Sequence, residues 1–514
     1  MFSIVNTGGI RGMDAYPVRV EVDLSRGLPC FELVGSAGSE VKEARERVQI
    51  ALKNEGVSIP VSKITVNLSP ADIRKEGTGY DLPIAAGLLA CMGVFSASAF
   101  QHTAFLGELA LSGEVRRING VLPIVIALKK EGINTFLVPA ANAGECAAVP
   151  GIRTIGLKSV KELIYYLKAD EKERGRYFPL CAGDKIERTA AGKKDFSQVC
   201  GQESVKRAAE VAAAGFHHLM LAGAPGTGKT MIAERIAGIL PPMTEEEKLE
   251  VSAIYSIAGK LESEGLMESR PFLAPHHTVS PQAMAGGGRI PRPGLLSLAH
   301  RGILFLDEMP EFSSAVLEVL RQPMEERKVH IDRSHGSYTY PADFMLVCAM
   351  NPCPCGYFPD RNRCNCSPAD IRRYLGRISG PVLDRIDMIT EAAPVAVKDL
   401  YEAKGGENTD TIRRRVLQAR ERQQFRYRKS HYRFNGELPG SEVKKYCMPK
   451  GDGQRFLEQM SEAGQISARA FHKILRLART AADLEGREEI GRQHLAEAIC
   501  YNSGRRRFWD QTTM

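Results

Sequence analysis

No run of apolar residues in this 514-residue chain approaches the roughly 18 needed to cross a bilayer as a helix. Nor does Met1-Phe-Ser-Ile-Val-Asn-Thr-Gly-Gly hold a basic stretch followed by an apolar one, so no secretory leader is expected. The compartment is read as cytoplasmic, with no membrane partner. There is no internal repeat and no long low-complexity tract. Charge of one sign is in small excess: a net +8 permits contact with a polyanion without demanding it. The twelve cysteines, without a leader, point to thiols or metal ligation rather than to a disulfide framework.

Cores rarely grow past about 250 to 300 residues before splitting, so several domains are expected, and 43% hydrophobic residues suffice to fill them. Over residues 1–168, β-like runs such as Tyr16-Pro-Val-Arg-Val-Glu-Val-Asp-Leu24 alternate with helical ones such as Lys42-Glu-Ala-Arg-Glu-Arg-Val-Gln-Ile-Ala-Leu-Lys53, which predicts an α/β domain. Residues 169–194 are charged, glycine-containing and aperiodic, and are read as a linker. Strand and helix patterns alternate again over 195–395, as in a parallel sheet flanked by helices. Over 396–514 the strand signals vanish, leaving amphipathic helices such as the stretch from Ser467 to Leu484.

Gly223-Ala224-Pro225-Gly226-Thr227-Gly228-Lys229-Thr230 satisfies every position of a phosphate-binding loop, between a strand-like run and a helical one. Its glycines let backbone N–H groups converge on phosphates, and the helix N-terminus adds its positive end. Lys229 is expected to reach the outer phosphates of a nucleoside triphosphate, and Thr230 to offer its hydroxyl to magnesium. Downstream, Gly302-Ile-Leu-Phe-Leu-Asp-Glu308 is an apolar run ending in two acids, as a buried strand would deliver them. Asp307 suits the magnesium shell and Glu308 suits polarising the attacking water. A third run, Phe344 to Met350, ends at Asn351, which either orients that water or touches the γ-phosphate, or simply forms a turn.

Together these parts resemble the AAA+ ATPases, which implies ATP as the nucleotide and Asn351 as the first sensor. Gly380-Pro-Val-Leu-Asp-Arg-Ile-Asp387 is similar to the segment where that family places an arginine reaching a neighbouring subunit's nucleotide. The resemblance therefore implies Arg385 as the arginine finger, with Arg377 in reserve; a local ion pair to Asp384 or Asp387 is the alternative. Arg469 looks like the second sensor of a C-terminal helical lid. A finger acting in trans implies a homo-oligomeric ring, usually a hexamer.

Ala274-Pro-His-His-Thr-Val-Ser280, the stretch from Gly286 to His300, Asn351-Pro-Cys-Pro-Cys-Gly356 and the run from Ser379 to Asp387 look like the magnesium-chelatase-like group. Within that group the chain resembles the bacterial competence type, ComM or YifB, essentially from end to end. That resemblance implies a motor promoting branch migration on single-stranded or branched DNA during natural transformation. Lys328 to Pro341 alternates like a hairpin with Arg333 and His335 near its turn, suiting a pore loop on phosphates or an ordinary solvated hairpin. Between Arg413 and Phe434, nine basic residues (Arg413, Arg414, Arg415, Arg420, Arg422, Arg426, Arg428, Lys429 and Arg433) interleave with Phe425, Tyr427, Tyr432 and Phe434. Such mixing suits a nucleic-acid strand; a solvated helix face or an inter-subunit contact explains part of it equally well.

Cys353, Cys355, Cys364 and Cys366 form two close pairs across a short loop, able to surround one structural zinc or to remain reduced thiols. The stretches from Gly77 to Leu88 and from Leu106 to Pro123 resemble the Lon-type protease domain, of the ribosomal S5 domain 2-like fold. Gly79 and Leu122 stand where that family has its serine and lysine, so a non-proteolytic binding or assembly module is expected. Two rivals share the motor: a metal chelatase, whose subunits are expected to lack the N-terminal module, and a protein-remodelling chaperone.

Overall fold

In a computed structural model of the chain, five apolar runs lie side by side as a parallel sheet in the order Phe272–Leu273, Ile303–Leu306, Met345–Met350, Leu219–Gly223, Met388–Ala392. The structure describes residues 1–95, 101–178, 194–262, 265–333, 336–394, 406–463, 466–505 and 508–509. Every residue of Leu219–Gly223, Ile303–Leu306 and Met345–Met350 is buried, which is why these runs are continuously apolar rather than alternating. Alternate side chains serve opposite faces. Leu219, Leu221, Phe305 and Val347 join a core with helices Glu203–Gly215 and Lys229–Ile239. Met220, Leu304, Leu306 and Leu346 join a second core with Met309, Val316 and Leu317. Helices Thr409–Tyr427, Ala468–Leu484 and Arg492–Arg505 add Val416, Leu475 and Leu495 to the first of these cores, so the C-terminal helices and the sheet share one interior.

The chain before them builds a seven-stranded mixed sheet, ordered Cys30–Val34, Lys63–Ser69, Asp14–Ser25, Phe2–Arg11, Thr103–Phe105, Thr135–Pro139, Arg153–Leu157. Strands Phe2–Arg11 and Asp14–Ser25 form an antiparallel hairpin closed by Gly12 and Met13, where Gly12 adopts φ +67, a value that a side chain would resist. Helix Asp81–Cys91 is buried on nearly every side, and its one charged residue needs a partner. Arg47 supplies it: Nε and Nη2 donate to the two Asp81 carboxylate oxygens at 2.7 and 2.9 Å, and the Leu109 N–H adds a third bond at 3.1 Å.

The two sheets are joined by shared packing. Leu122, Val125 and Leu128 meet Leu261, Leu249 and Tyr255. The Ser256 hydroxyl donates to Glu145 at 2.6 Å, and the Gly120 N–H donates to the Ser256 carbonyl at 2.9 Å. Of the segment read as a linker, Glu171–Tyr177 is a helix with an Asp170/Glu173 capping box, and residues 179–193 lie outside those described. Among the described residues no helix is long and apolar enough to cross a membrane.

Candidate active site

The phosphate loop leaves the C-terminal end of Leu219–Gly223, the edge of a parallel sheet where ligands generally sit. Gly226 at φ +79 and Gly228 at φ +81 fold the loop back onto the N-terminus of helix Lys229–Ile239. The Lys229 ammonium donates to the Gly223 and Ala224 carbonyls at 2.8 and 2.9 Å and to Asn351 Oδ1 at 3.1 Å. Burial pushes it below its ordinary value, with Asp307 and Glu308 opposing that shift. The Thr230 hydroxyl donates to Asp307 Oδ2 at 2.7 Å, while Thr227 Oγ1 donates within the loop to Ala224 at 2.9 Å.

Glu308, exposed and at φ +49, follows on a sharp turn whose N–H bonds Asp307 Oδ1 at 2.9 Å. Three adjacent strand ends thus bring Lys229, Thr230, Asp307, Glu308 and Asn351 to one edge. The donor set fits a triphosphate with magnesium: a half-buried cation, N–H groups at a helix start, and a hydroxyl beside a carboxylate as hard oxygen ligands.

Arg385 pairs with Glu325 rather than with Asp387. Its Nη1 donates to the Pro381 carbonyl at 2.8 Å and its Nη2 bonds Glu325, sixty residues earlier in the chain. Asp387 instead accepts the His218 N–H at 3.0 Å and lies 3.6 Å from Arg476. Arg377 reaches Glu311 at 2.7 Å and the Pro310 carbonyl at 3.2 Å, just past the acid pair. Arg469 lies in the first turn of Ala468–Leu484, which Ser467 caps by accepting the Ala470 N–H at 3.2 Å; its side chain is outside the described residues. Arg333, exposed, ends strand Lys328–Arg333 opposite Gly336 in a hairpin, while Ser334 and His335 at the turn are outside the described residues.

Sequence reasoning missed Gln202. Its side-chain amide bridges the Thr227 carbonyl of the loop, at 3.4 Å, and the Ala393 carbonyl beyond the edge strand. The available signal was Gly201-Gln202 directly before a helix, both at positive φ in the structure.

The four cysteine Sγ atoms lie within 4.8 Å of one another, with 3.3 Å between Cys353 and Cys355 and 3.7 Å between Cys353 and Cys364. A tetrahedral zinc with bonds of about 2.3 Å sets its sulfurs about 3.8 Å apart, so the four ligands fit the ion. Backbone N–H groups of Gly356 and Phe358 point at Cys353 Sγ from 3.2 and 3.4 Å. The same loop rests on the phosphate loop: a Cβ on Gly356 would come 2.4 Å from Pro225 Cδ.

A parallel sheet in this strand order, with a phosphate loop and an acid pair on one edge, is the architecture of the magnesium-chelatase-like AAA+ class. Sequence profiles agree: "Magnesium chelatase, subunit ChlI" matches residues 195–400, "Subunit ChlI of Mg-chelatase" matches 20–142, and "Magnesium chelatase, subunit ChlI C-terminal" matches 406–502. YifB of Salmonella typhimurium is 42% identical over 503 residues, covering 98% of this chain and 97% of that protein. Competence protein ComM of Haemophilus influenzae is 40% identical over 508 residues, covering 98% and 97%. The magnesium-chelatase 38 kDa subunit of Rhodobacter capsulatus is 26% identical over 347 residues, covering 60% of this chain and 88% of that protein. The chain belongs to the magnesium-chelatase-like family of the ComM/YifB type. Because a chelatase-subunit profile also matches residues 20–142, the N-terminal module does not by itself separate this chain from chelatases.

Proposed function

We propose that the chain is an ATP-hydrolysing motor that assembles as a homo-hexameric ring and moves branched or single-stranded DNA while acquired DNA is integrated. The observation that carries hydrolysis is the joint contact of Lys229 with Asn351 and of Thr230 with Asp307 at the sheet edge. Magnesium, when bound, supplies charge neutralisation on the triphosphate. Thr230 and Asp307 would hold it, Glu308 would orient and polarise the attacking water, and Lys229 and Asn351 would hold the outer phosphate. Arg385, released from Glu325, would complete a neighbouring subunit's site, and Arg469 would close the lid in cis.

The DNA reading is supported by near-full-length similarity to a protein named for competence, whereas the chelatase subunit covers 60% of the chain. Basic Arg333 on its hairpin is a candidate DNA contact. Residues 1–168 act as a Lon-like but non-proteolytic module: Gly79 carries no side chain, and Leu122 is fully buried in an apolar core. ATPase rate is the test. Single-stranded or forked DNA is expected to raise it severalfold, whereas unfolded protein and porphyrin leave it unchanged. Stimulation by either of the latter, and none by DNA, contradicts the reading.

The cysteine cluster is proposed to hold one structural zinc. Metal analysis of the purified protein is expected to give one zinc per subunit, lost in Cys364→Ser/Cys366→Ser together with a lower thermal midpoint, because metal binding contributes directly to folding. A metal-free protein whose midpoint is insensitive to the substitutions contradicts it.

A further inference from the structure

Helix Thr409–Tyr427 ends at an open hollow of about 650 Å³ whose lining includes Phe425, Arg428, Lys429, Tyr432, Lys445 and Tyr446. Folding sorts the basic segment that leads into it. Arg415 is paired with Glu210 and Glu407, and Arg426 is held by both carboxylate oxygens of Asp483. Arg420 is buried with its guanidinium 3.5 Å from the Phe434 ring centre, and Arg433 lies among Glu247, Asp343 and Glu437.

Three exposed cations, Arg428, Lys429 and Lys445, line the hollow, whereas Arg414 and Arg422, also exposed, lie outside its lining. Lys429 has no ion pair among the described residues. Arg428 lies 3.9 Å over the Phe425 ring, and Lys445 lies 4.8 Å over Tyr446. Glu442, 3.8 Å from Lys445, is the one acid among the described lining residues. The helix's negative end is covered, because Arg428 and Ser430 donate to the Phe425 and Tyr427 carbonyls at 3.2 and 2.9 Å. Phe425 itself is 69% exposed.

We propose that this hollow binds a single nucleic-acid strand, with phosphates on Arg428, Lys429 and Lys445 and a base stacked on Phe425. The assignment rests on the reading of the chain as a DNA motor. Cations alone would serve any polyanion; rings set among them give bases a surface that an acidic peptide does not need.

The test is anisotropy of a labelled thymidine oligonucleotide with the full chain and a non-hydrolysable ATP analogue, over a salt series. Phe425→Ala is expected to weaken binding about tenfold and Phe425→Tyr to restore it, as base–aromatic stacking predicts. Lys429→Gln/Lys445→Gln should flatten the slope of log K against log salt by about 1.4, at about 0.7 per phosphate contact on a single strand. DNA-free ATPase and thermal unfolding should be unchanged in all three. If the wild type binds and every variant matches it in affinity and slope, the hollow is not the strand site, although the motor reading stands. If the wild type binds no DNA, both fall. Full competition by polyglutamate together with an unaffected Phe425→Ala identifies a general polyanion surface and also overturns the proposal.

Discussion

Lys229→Ala is expected to lower ATP affinity on the order of a hundredfold or more, the loss of about 2.7 kcal/mol from removing a half-buried cation aimed at phosphate oxygens. The ammonium already satisfies three oxygens, from Gly223, Ala224 and Asn351, so phosphate oxygens would take over a preorganised donor. Glu308→Gln separates binding from turnover. It keeps the side chain's size and the turn that bonds Asp307, so ATP should bind near wild-type affinity while phosphate release falls by about 10²- to 10⁴-fold, the usual worth of a positioned base. Fluorescent-ATP titration and phosphate release measure the two effects. Full turnover in either variant contradicts the assignment of this edge as the catalytic one.

The second large effect is on stability. Asp81 is fully buried, and among the described residues its two bonds to Arg47 are its only charge compensation within hydrogen-bonding reach. Burial already raises its pKa above the ordinary carboxylate value, with Arg47 opposing. Arg47→Met leaves that carboxylate unpaired and is expected to cost about 3 to 5 kcal/mol. The pH dependence has a definite sign. An unpaired Asp81 has a folded-state pKa above its unfolded value, so the folded state binds more protons and stability falls as pH rises between the two values. Calorimetry should therefore find the variant's deficit smaller at acid pH than at alkaline pH. Equal midpoints for variant and wild type at neutral pH would show that the pair is dispensable.

The meeting of Lys229, Asp307 and Asn351 on one edge was legible because its signals are local: three continuous apolar runs, one leading into a complete phosphate loop and two ending at polar residues. Their convergence follows from parallel strands carrying those ends to the same side. The cysteine spacing was local too, and the four sulfurs meet. What could not be read depends on partners far along the chain. Arg385 meets Glu325 across sixty residues, Arg426 meets Asp483, and Arg415 meets Glu210, so a stretch that looks uniformly basic divides into structural and solvent-facing cations only on folding. Gln202 was missed for a related reason. Its reach to Ala393 comes from a turn of two left-handed residues, which no hydrophobic period reports. Nor does period reveal that the C-terminal helices complete the core on one face of the sheet.

Central to the account is that ATP hydrolysis at the Lys229 edge drives movement along a DNA junction. A synthetic four-way junction incubated with protein, ATP and magnesium, and resolved on a native gel over a range of salt, tests it directly. The account predicts ATP-dependent resolution into duplexes by the wild type and none by Glu308→Gln. Failure of the wild type to resolve the junction at any salt, while it hydrolyses ATP, contradicts it.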